Sequence, residues 1–132
     1  MPTLVLKVSP PQSAERCCHL ATALTDITAS LLGKRRAVTA VIVEELPAGR
    51  WYIGGLPPTQ PTALLEIGIT QGTNTPDEKA AFIQAAFAEL QRQLADGAAL
   101  AEASYVVVRE LPAIDWGYAG RTQLARRQAL PA

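Results

Sequence analysis

One fifteen-residue stretch of this chain recurs in related form. Laid over each other, "VIVEELPAGRWYIGG" (41–55) and "VVVRELPAIDWGYAG" (106–120) need no gap. Eight of the fifteen positions are identical: Val41/Val106, Val43/Val108, Glu45/Glu110, Leu46/Leu111, Pro47/Pro112, Ala48/Ala113, Trp51/Trp116 and Gly55/Gly120. "PTLVL" (2–6) and "PTALL" (61–65) also agree at their first two residues and their last. A self-match of this kind marks a duplicated supersecondary unit. It constrains the fold more than any other feature, because both copies must then adopt one local structure around one core.

The segments between the matches supply that structure. "TLVLKVS" (3–9) is apolar and β-branched and predicts a strand. Cys17, Leu20, Ala21, Leu24, Ile27 and Leu31 follow at helical spacing, with Ser13 to cap the helix and Gly33 to end it. "AVTAVIVEELP" is a second strand stopped by Pro47, and "AGRWYIGG" is a Gly-bounded, hairpin-like segment. The same order then repeats. "TALLEIGIT" is a strand. The helix over "TPDEKAAFIQAAFAELQRQLADG" opens on Thr75, Pro76 and Glu78, a capping box with proline at the first helical position. Its expected inner stripe is Ile83, Ala86, Phe87, Leu90 and Leu94. "SYVVVRELP" is the fourth strand, "AIDWGYAG" closes it, and "RTQLARRQALPA" forms a short polar helix or a tail.

The expected architecture is therefore α/β: a duplicated βαβ unit (2–55 and 61–120) within a single domain spanning 1–132, joined by the proline-rich linker 56–61. Each crossover is right-handed, so two fused units give a four-stranded mixed sheet with both helices on one face. The outward strand positions, Val5 and the "YVVV" of the fourth strand, are apolar. A bare apolar sheet face marks an interface, which predicts an oligomer with the two Trp-bearing hairpins, 49–55 and 115–120, crossing to neighbours.

Charge narrows the partners. Twelve Lys and Arg balance twelve Asp and Glu, so no basic surface for nucleic acid or an anionic membrane is expected. No apolar window is long enough to span a bilayer and no leader pattern opens the chain, which predicts a cytoplasmic protein. Cys17 and Cys18 are neighbours on a helix and point too far apart to bridge. His19, the only histidine, has no second ligand at metal spacing. No metal or cofactor is expected.

Pro2 has two readings. Proline is tolerated at the first residue of a strand, having no N–H to give. Alternatively, the initiator Met is removed before a small residue and Pro2 carries a free secondary amine, held in place by its strand. An N-terminal proline, a βαβ unit and a strand ending "EELPAGRWYIGG" resemble the tautomerase superfamily, over residues 2 to about 122. The resemblance is to its fused, 4-oxalocrotonate tautomerase-like members. Relatives include cis-3-chloroacrylic acid dehalogenase, malonate semialdehyde decarboxylase and 5-carboxymethyl-2-hydroxymuconate isomerase, and "DWGYAGR" looks most like the decarboxylase branch.

What the resemblance implies is a homotrimer with the proline amine, Pro2, as the catalytic group in a pocket between subunits. The implied activity is keto–enol tautomerisation (isomerase chemistry) of a small 2-oxo or 2-hydroxy-unsaturated acid. Desolvation of the amine lowers its pKa toward operating pH, where a general base is most effective. Pro61, its counterpart in the second repeat, is a peptide nitrogen with no such chemistry.

The family's carboxylate-binding arginines are not matched. Their positions fall on Gln12, on Ala40 and on "ITQGTN" (69–74). The dehalogenase's histidine, tyrosine and glutamate fall on Thr28, Val107 and Tyr118, which excludes that activity. The remaining candidates for substrate contact are Arg50, Trp51, Tyr105, Arg109, Trp116 and Arg121, each with a plain surface or packing role as the alternative. Thr70, Gln71, Thr73 and Asn74 offer a neutral polar rim. Two other functions remain open at this point. One is a diverged relative using a cationic proline in hydratase or decarboxylase chemistry. The other is a non-enzymatic, ligand-binding module of the ferredoxin-like type, which shares the βαββαβ order.

Overall fold

The computed structural model describes residues 2–129; the end of the expected C-terminal segment, 130–132, lies outside them. Strand β1 (Thr3–Ser9) leads through helix α1 (Ala14–Leu32) to β2 (Ala40–Glu45). Strand β3 (Thr62–Thr70) leads through α2 (Pro76–Ala95) to β4 (Tyr105–Leu111). A two-stranded hairpin, β5 (Gly117–Tyr118) and β6 (Arg121–Thr122), runs into a short helix α3 (Gln123–Ala129). The main sheet has the order β2-β1-β3-β4. β1 is parallel to β2, β3 is parallel to β4, and β1 and β3 meet antiparallel at the centre.

The two-fold character follows from that register. Each βαβ unit is unsplit, its two strands lying side by side. This topology rules out the ferredoxin-like alternative, whose βαβ units are split. Helices α1 and α2 pack against each other over the face carrying Leu4, Leu6, Val8, Leu65, Ile67 and Ile69, all essentially without solvent contact.

The expected helix signals hold. Ser13 caps α1 by accepting from the Arg16 N–H, and Gly33 ends it in the left-handed conformation. Thr75 and Glu78 form the capping box of α2, with Pro76 in its first turn. The inner stripes hold at Leu20, Leu24, Ala86 and Leu90, with Ile27, Phe87 and Leu94 packed against the core, and shift at their margins. In α2 the buried residues are Phe82, Ala86, Leu90 and Gln93, whereas Ile83 is exposed. In α1 they are Leu20, Leu24, Thr28 and Leu32. Thr28 fits the interior because its hydroxyl donates to the Leu24 carbonyl at 2.7 Å, satisfying the polar group within its own helix.

The open sheet face also differs from expectation. Cross-strand rows read Ile42–Val5–Glu66–Val107 and Glu44–Lys7–Leu64–Tyr105, so charges interleave with apolar groups. Alternation explains this: burying Leu6 and Leu65 turns Lys7 and Glu66 outward. Arg109 grips Glu66 through two hydrogen bonds, at 3.0 and 3.2 Å. That guanidinium holds the Glu66 carboxyl below its ordinary value, Lys7 assisting.

Candidate functional site

Pro2 immediately precedes β1 and is buried. Its carbonyl accepts from the Ala40 N–H at 3.2 Å, which continues the β1–β2 ladder by one step. Because β1 and β2 are parallel, the residues just before β2 lie at the Pro2 end of the sheet. Because β3 is antiparallel to β1, so does its last residue, Thr70.

A cleft of about 560 Å³ opens at this end. Val38 and Thr70 form its sheet side, with Arg35 from the α1–β2 connection. Tyr118, Arg121, Gln123, Arg126 and Arg127 face them from the C-terminal hairpin and α3. Four guanidinium groups thus line one cleft and no carboxylate does. Among the described residues none of the four forms an ion pair. Like charges brought together this way repel, and their combined field favours an anion.

The cleft walls are held by specific contacts. Lys34 donates to the Thr73 hydroxyl at 2.9 Å, and the Asn74 amide donates to the Leu32 carbonyl at 2.9 Å. Together they fasten the connection that carries Arg35 and Val38. Burial lowers the Lys34 ammonium below its ordinary value, Glu78 partly opposing. Thr73 and Asn74 are therefore engaged structurally, and of the expected neutral rim only Thr70 lines the cleft. On the opposite wall, Arg126 lies 3.8 Å from the Tyr118 ring centroid and donates to the Tyr118 carbonyl at 2.9 Å. The hairpin turns through Ala119 and Gly120, both with positive φ, as a tight two-residue turn requires. Helix α3 is docked by the Gln123 N–H on the Trp116 carbonyl and the Leu124 N–H on the Ala113 carbonyl, each 2.9 Å.

The duplication supplies an internal comparison. A second cleft, of about 510 Å³, lies at the other end of the sheet and contains the counterparts of the first. Shifted by 65 residues, Tyr118 becomes Ile53, Gln123 becomes Pro58 and Val38 becomes Ala103, all lining that second cleft. The Ala101 N–H donates to the half-buried Pro61 at 2.8 Å, as Ala40 does to Pro2. Glu102 is the only charged group in its lining. The cleft at the Pro2 end of the sheet is therefore lined by four cations, and the cleft at the Pro61 end by none.

The sequence candidates divide accordingly. Arg121 lines the Pro2-end cleft. Trp116 is half-buried beneath the hairpin, its carbonyl engaged by Gln123 and its indole N–H buried without an acceptor. Arg50 and Trp51 follow β2 at the far end, and exposed Tyr105 lines the Pro61-end cleft. Arg109 is committed to Glu66 on the open sheet face. Within one chain these four do not meet Pro2. Sequence reasoning missed Arg35, Gln123, Arg126 and Arg127, and took Tyr118 only as a lost glutamate. The available signal was charge: after Asp115 the chain has three arginines and no acid. Among the described residues no cluster of three or more His, Cys, Asp or Glu is placed to hold a metal, and no helix is long and apolar enough to cross a membrane.

A duplicated, unsplit βαβ sheet with proline at the head of a central strand defines a class of small α/β proteins. Residues 2–60 match the family model described as "Tautomerase enzyme". A solved structure of a native fused 4-OT is 28% identical, with 93% of this chain and 97% of that one covered and a TM-score of 0.77. The F6 fused 4-OT, described as an asymmetric trimer, is 25% identical over 94% and 98% of the two chains, with a TM-score of 0.82. A member of the cis-3-chloroacrylic acid dehalogenase family shares the fold at 19% identity, covering 98% and 92%, with a TM-score of 0.78. No curated protein matches the chain. Residues 2–60 thus carry the tautomerase family match, and the chain as a whole shares the fold of the fused, two-repeat 4-OT structures.

Proposed function

We propose that this protein is a tautomerase-type isomerase acting on a small 2-oxo or 2-hydroxy-unsaturated acid, with the Pro2 amine as general base. The observation that carries the proposal is the asymmetry of the two clefts: only the one at the Pro2 end of the sheet is lined by cations. The reading requires removal of Met1, which frees the amine. Burial disfavours the charged form of that amine, and the field of four guanidinium groups lining the cleft at the same end of the sheet acts in the same direction. Both effects favour the neutral amine and so support the general-base reading over the cationic-proline one.

The chemistry is a proton shuttle. The amine lone pair takes the proton of the substrate's 2-hydroxyl. The O–H electrons form the carbonyl, the C=C pair moves toward the distal carbon, and the prolinium returns the proton there. Nothing is gained or lost overall. Negative charge develops on oxygen in between, and guanidinium donors already in place stabilise it without reorganising. The carboxylate of the substrate answers the unpaired cations of the cleft.

The assembly we propose is a trimer, supported by the solved fused 4-OT described as one and by Ile42 and Tyr105, half or more exposed on the open sheet face. The test is ketonisation of a 2-hydroxy-unsaturated acid followed by ultraviolet absorbance, using protein whose intact mass shows Met1 removed. Activity that disappears in Pro2→Ala supports the reading. Equal rates in the two proteins would overturn it.

A further inference from the structure

We infer that the C-terminal hairpin and α3 form this chain's own carboxylate-binding element, with Arg126 as its fixed cation and Tyr118 as the residue that positions it. The inference rests on the anionic substrate class proposed above and assigns the groups that hold it.

Three observations carry it. First, Arg126 is the best-anchored guanidinium of the cleft. It stacks on the Tyr118 ring and gives one N–H to the Tyr118 carbonyl, while no carboxylate among the described residues claims it. A guanidinium fixed in this way loses little freedom when it takes up an anion, and its planar fork suits a carboxylate. Second, the same segment holds buried donors with no acceptor: Arg126 Nε and Gln123 Nε2 in the cleft wall, and Trp116 Nε1 behind it. All three are N–H groups. A buried donor left unpaired is costly, and a carboxylate oxygen is the missing kind of partner. Third, the first repeat lacks the device. At the equivalent positions stand Ile53 for Tyr118 and Pro58 for Gln123, and no arginine lines that cleft. The cationic element is a property of the second repeat's ending and not of the duplicated unit.

Tyr118 acts through its ring and its backbone carbonyl, so its hydroxyl is dispensable. This separates positioning from substrate contact. The experiment uses malonate as the anionic probe and malonamide as its neutral isostere, on the full chain. Binding is read from the Nε–H signals of arginine in a nitrogen-labelled sample and by calorimetry. Malonate is expected to shift the Arg126 signal, and malonamide is not. Arg126→Gln should weaken malonate binding about tenfold or more, the effect of one charge-assisted hydrogen bond. Tyr118→Leu should weaken it several-fold, and Tyr118→Phe should bind like the parent. Thermal unfolding of each variant checks that the sheet core is intact.

Equal malonate affinity in Arg126→Gln and parent would overturn the inference, as would equal shifts with malonamide. A Tyr118→Phe variant as weak as Tyr118→Leu would overturn the positioning role. Binding is measured without turnover, so Pro2→Ala is expected to bind malonate normally. Loss of activity together with retained binding, or the reverse, therefore tells the two readings apart.

Discussion

Replacing Gly117 by alanine should dismantle one wall of the cleft while leaving the sheet core standing. A Cβ at 117 would stand 1.9 Å from the Arg121 carbonyl oxygen and 2.7 Å from Thr122 Cα. Non-bonded carbon contacts settle at about 3.5–4.0 Å, so the two hairpin strands must part by more than about 1 Å. That separation breaks the Gly117–Thr122 pair and strains the neighbouring Gln123-to-Trp116 hydrogen bond that docks α3. One or two lost bonds at about 0.5–1.5 kcal/mol each give a local cost of roughly 0.5–3 kcal/mol. The cost stays local because β5 and β6 form a sheet of their own, separate from the four-stranded one. The first repeat shows the limit of the device. Tyr52 stands at the equivalent position, and pairing there stops at Ile53–Leu56. The assay is amide hydrogen exchange read by peptide, with malonate affinity alongside. Protection should fall over 113–129 and persist over 62–70, and affinity should fall with it. Unchanged protection across 113–129 in Gly117→Ala would refute the reasoning.

Three further outcomes follow from particular residues. Ala119→Gly should stabilise the hairpin by about 0.5–1 kcal/mol, the left-handed strain of about 1–2 kcal/mol less the added chain entropy of glycine; Ala119 has φ 51° where the first repeat has Gly54, and slower exchange over 117–122 checks it. Thr75→Ala should lower the urea stability by about 1 kcal/mol through loss of the capping box, with α2 otherwise retained by circular dichroism. The Glu66–Arg109 pair adds stability at neutral pH that is lost in acid. The folded pKa of Glu66 is depressed, so its contribution is present above the ordinary carboxylate value of about 4.3 and disappears as pH falls through the lower, folded value. In Glu66→Gln the urea midpoint should therefore fall less steeply from about pH 6 to about pH 3, by a small amount because the pair is partly exposed. An identical slope in both proteins would contradict the assignment.

The main fold was legible because its determinants are local and repeated. The offset of 65 residues that aligns Val41 with Val106 also aligns the starts of β2 and β4 and the two tight turns at Gly54–Gly55 and Ala119–Gly120. Capping by Ser13 and Thr75 depends on neighbours in sequence and was equally readable. The centres of the inner helix stripes, Leu20, Leu24, Ala86 and Leu90, were readable too; their margins were not, because a rotation of one residue exchanges Ile83 for Phe82, and the sheet beneath decides between them. The open face reads as apolar from β1 and β4 alone, and Glu44 and Glu66 of the neighbouring strands set charges among those apolar groups.

The site divides on the same line. Pro2 and Arg121 stand out in the sequence. Arg35 does not, since only the parallel pairing of β1 and β2 brings the residues before β2 to the Pro2 end. Arg126 and Arg127 looked like part of a polar tail until the hairpin folded them back toward Thr70. The family arginines sought at Gln12, Ala40 and 69–74 are absent, and cations from another part of the chain occupy the cleft instead.

The central claim is that Pro2 presents a neutral amine beside a cationic cleft. It is tested most directly by titrating the N-terminal nitrogen of isotopically labelled proline by NMR in protein of verified mass. The account predicts Met1 removed and an amine that titrates below the ordinary α-amino value of about 7.7–8.0. Retention of Met1, or an amine titrating at or above that value, would contradict it.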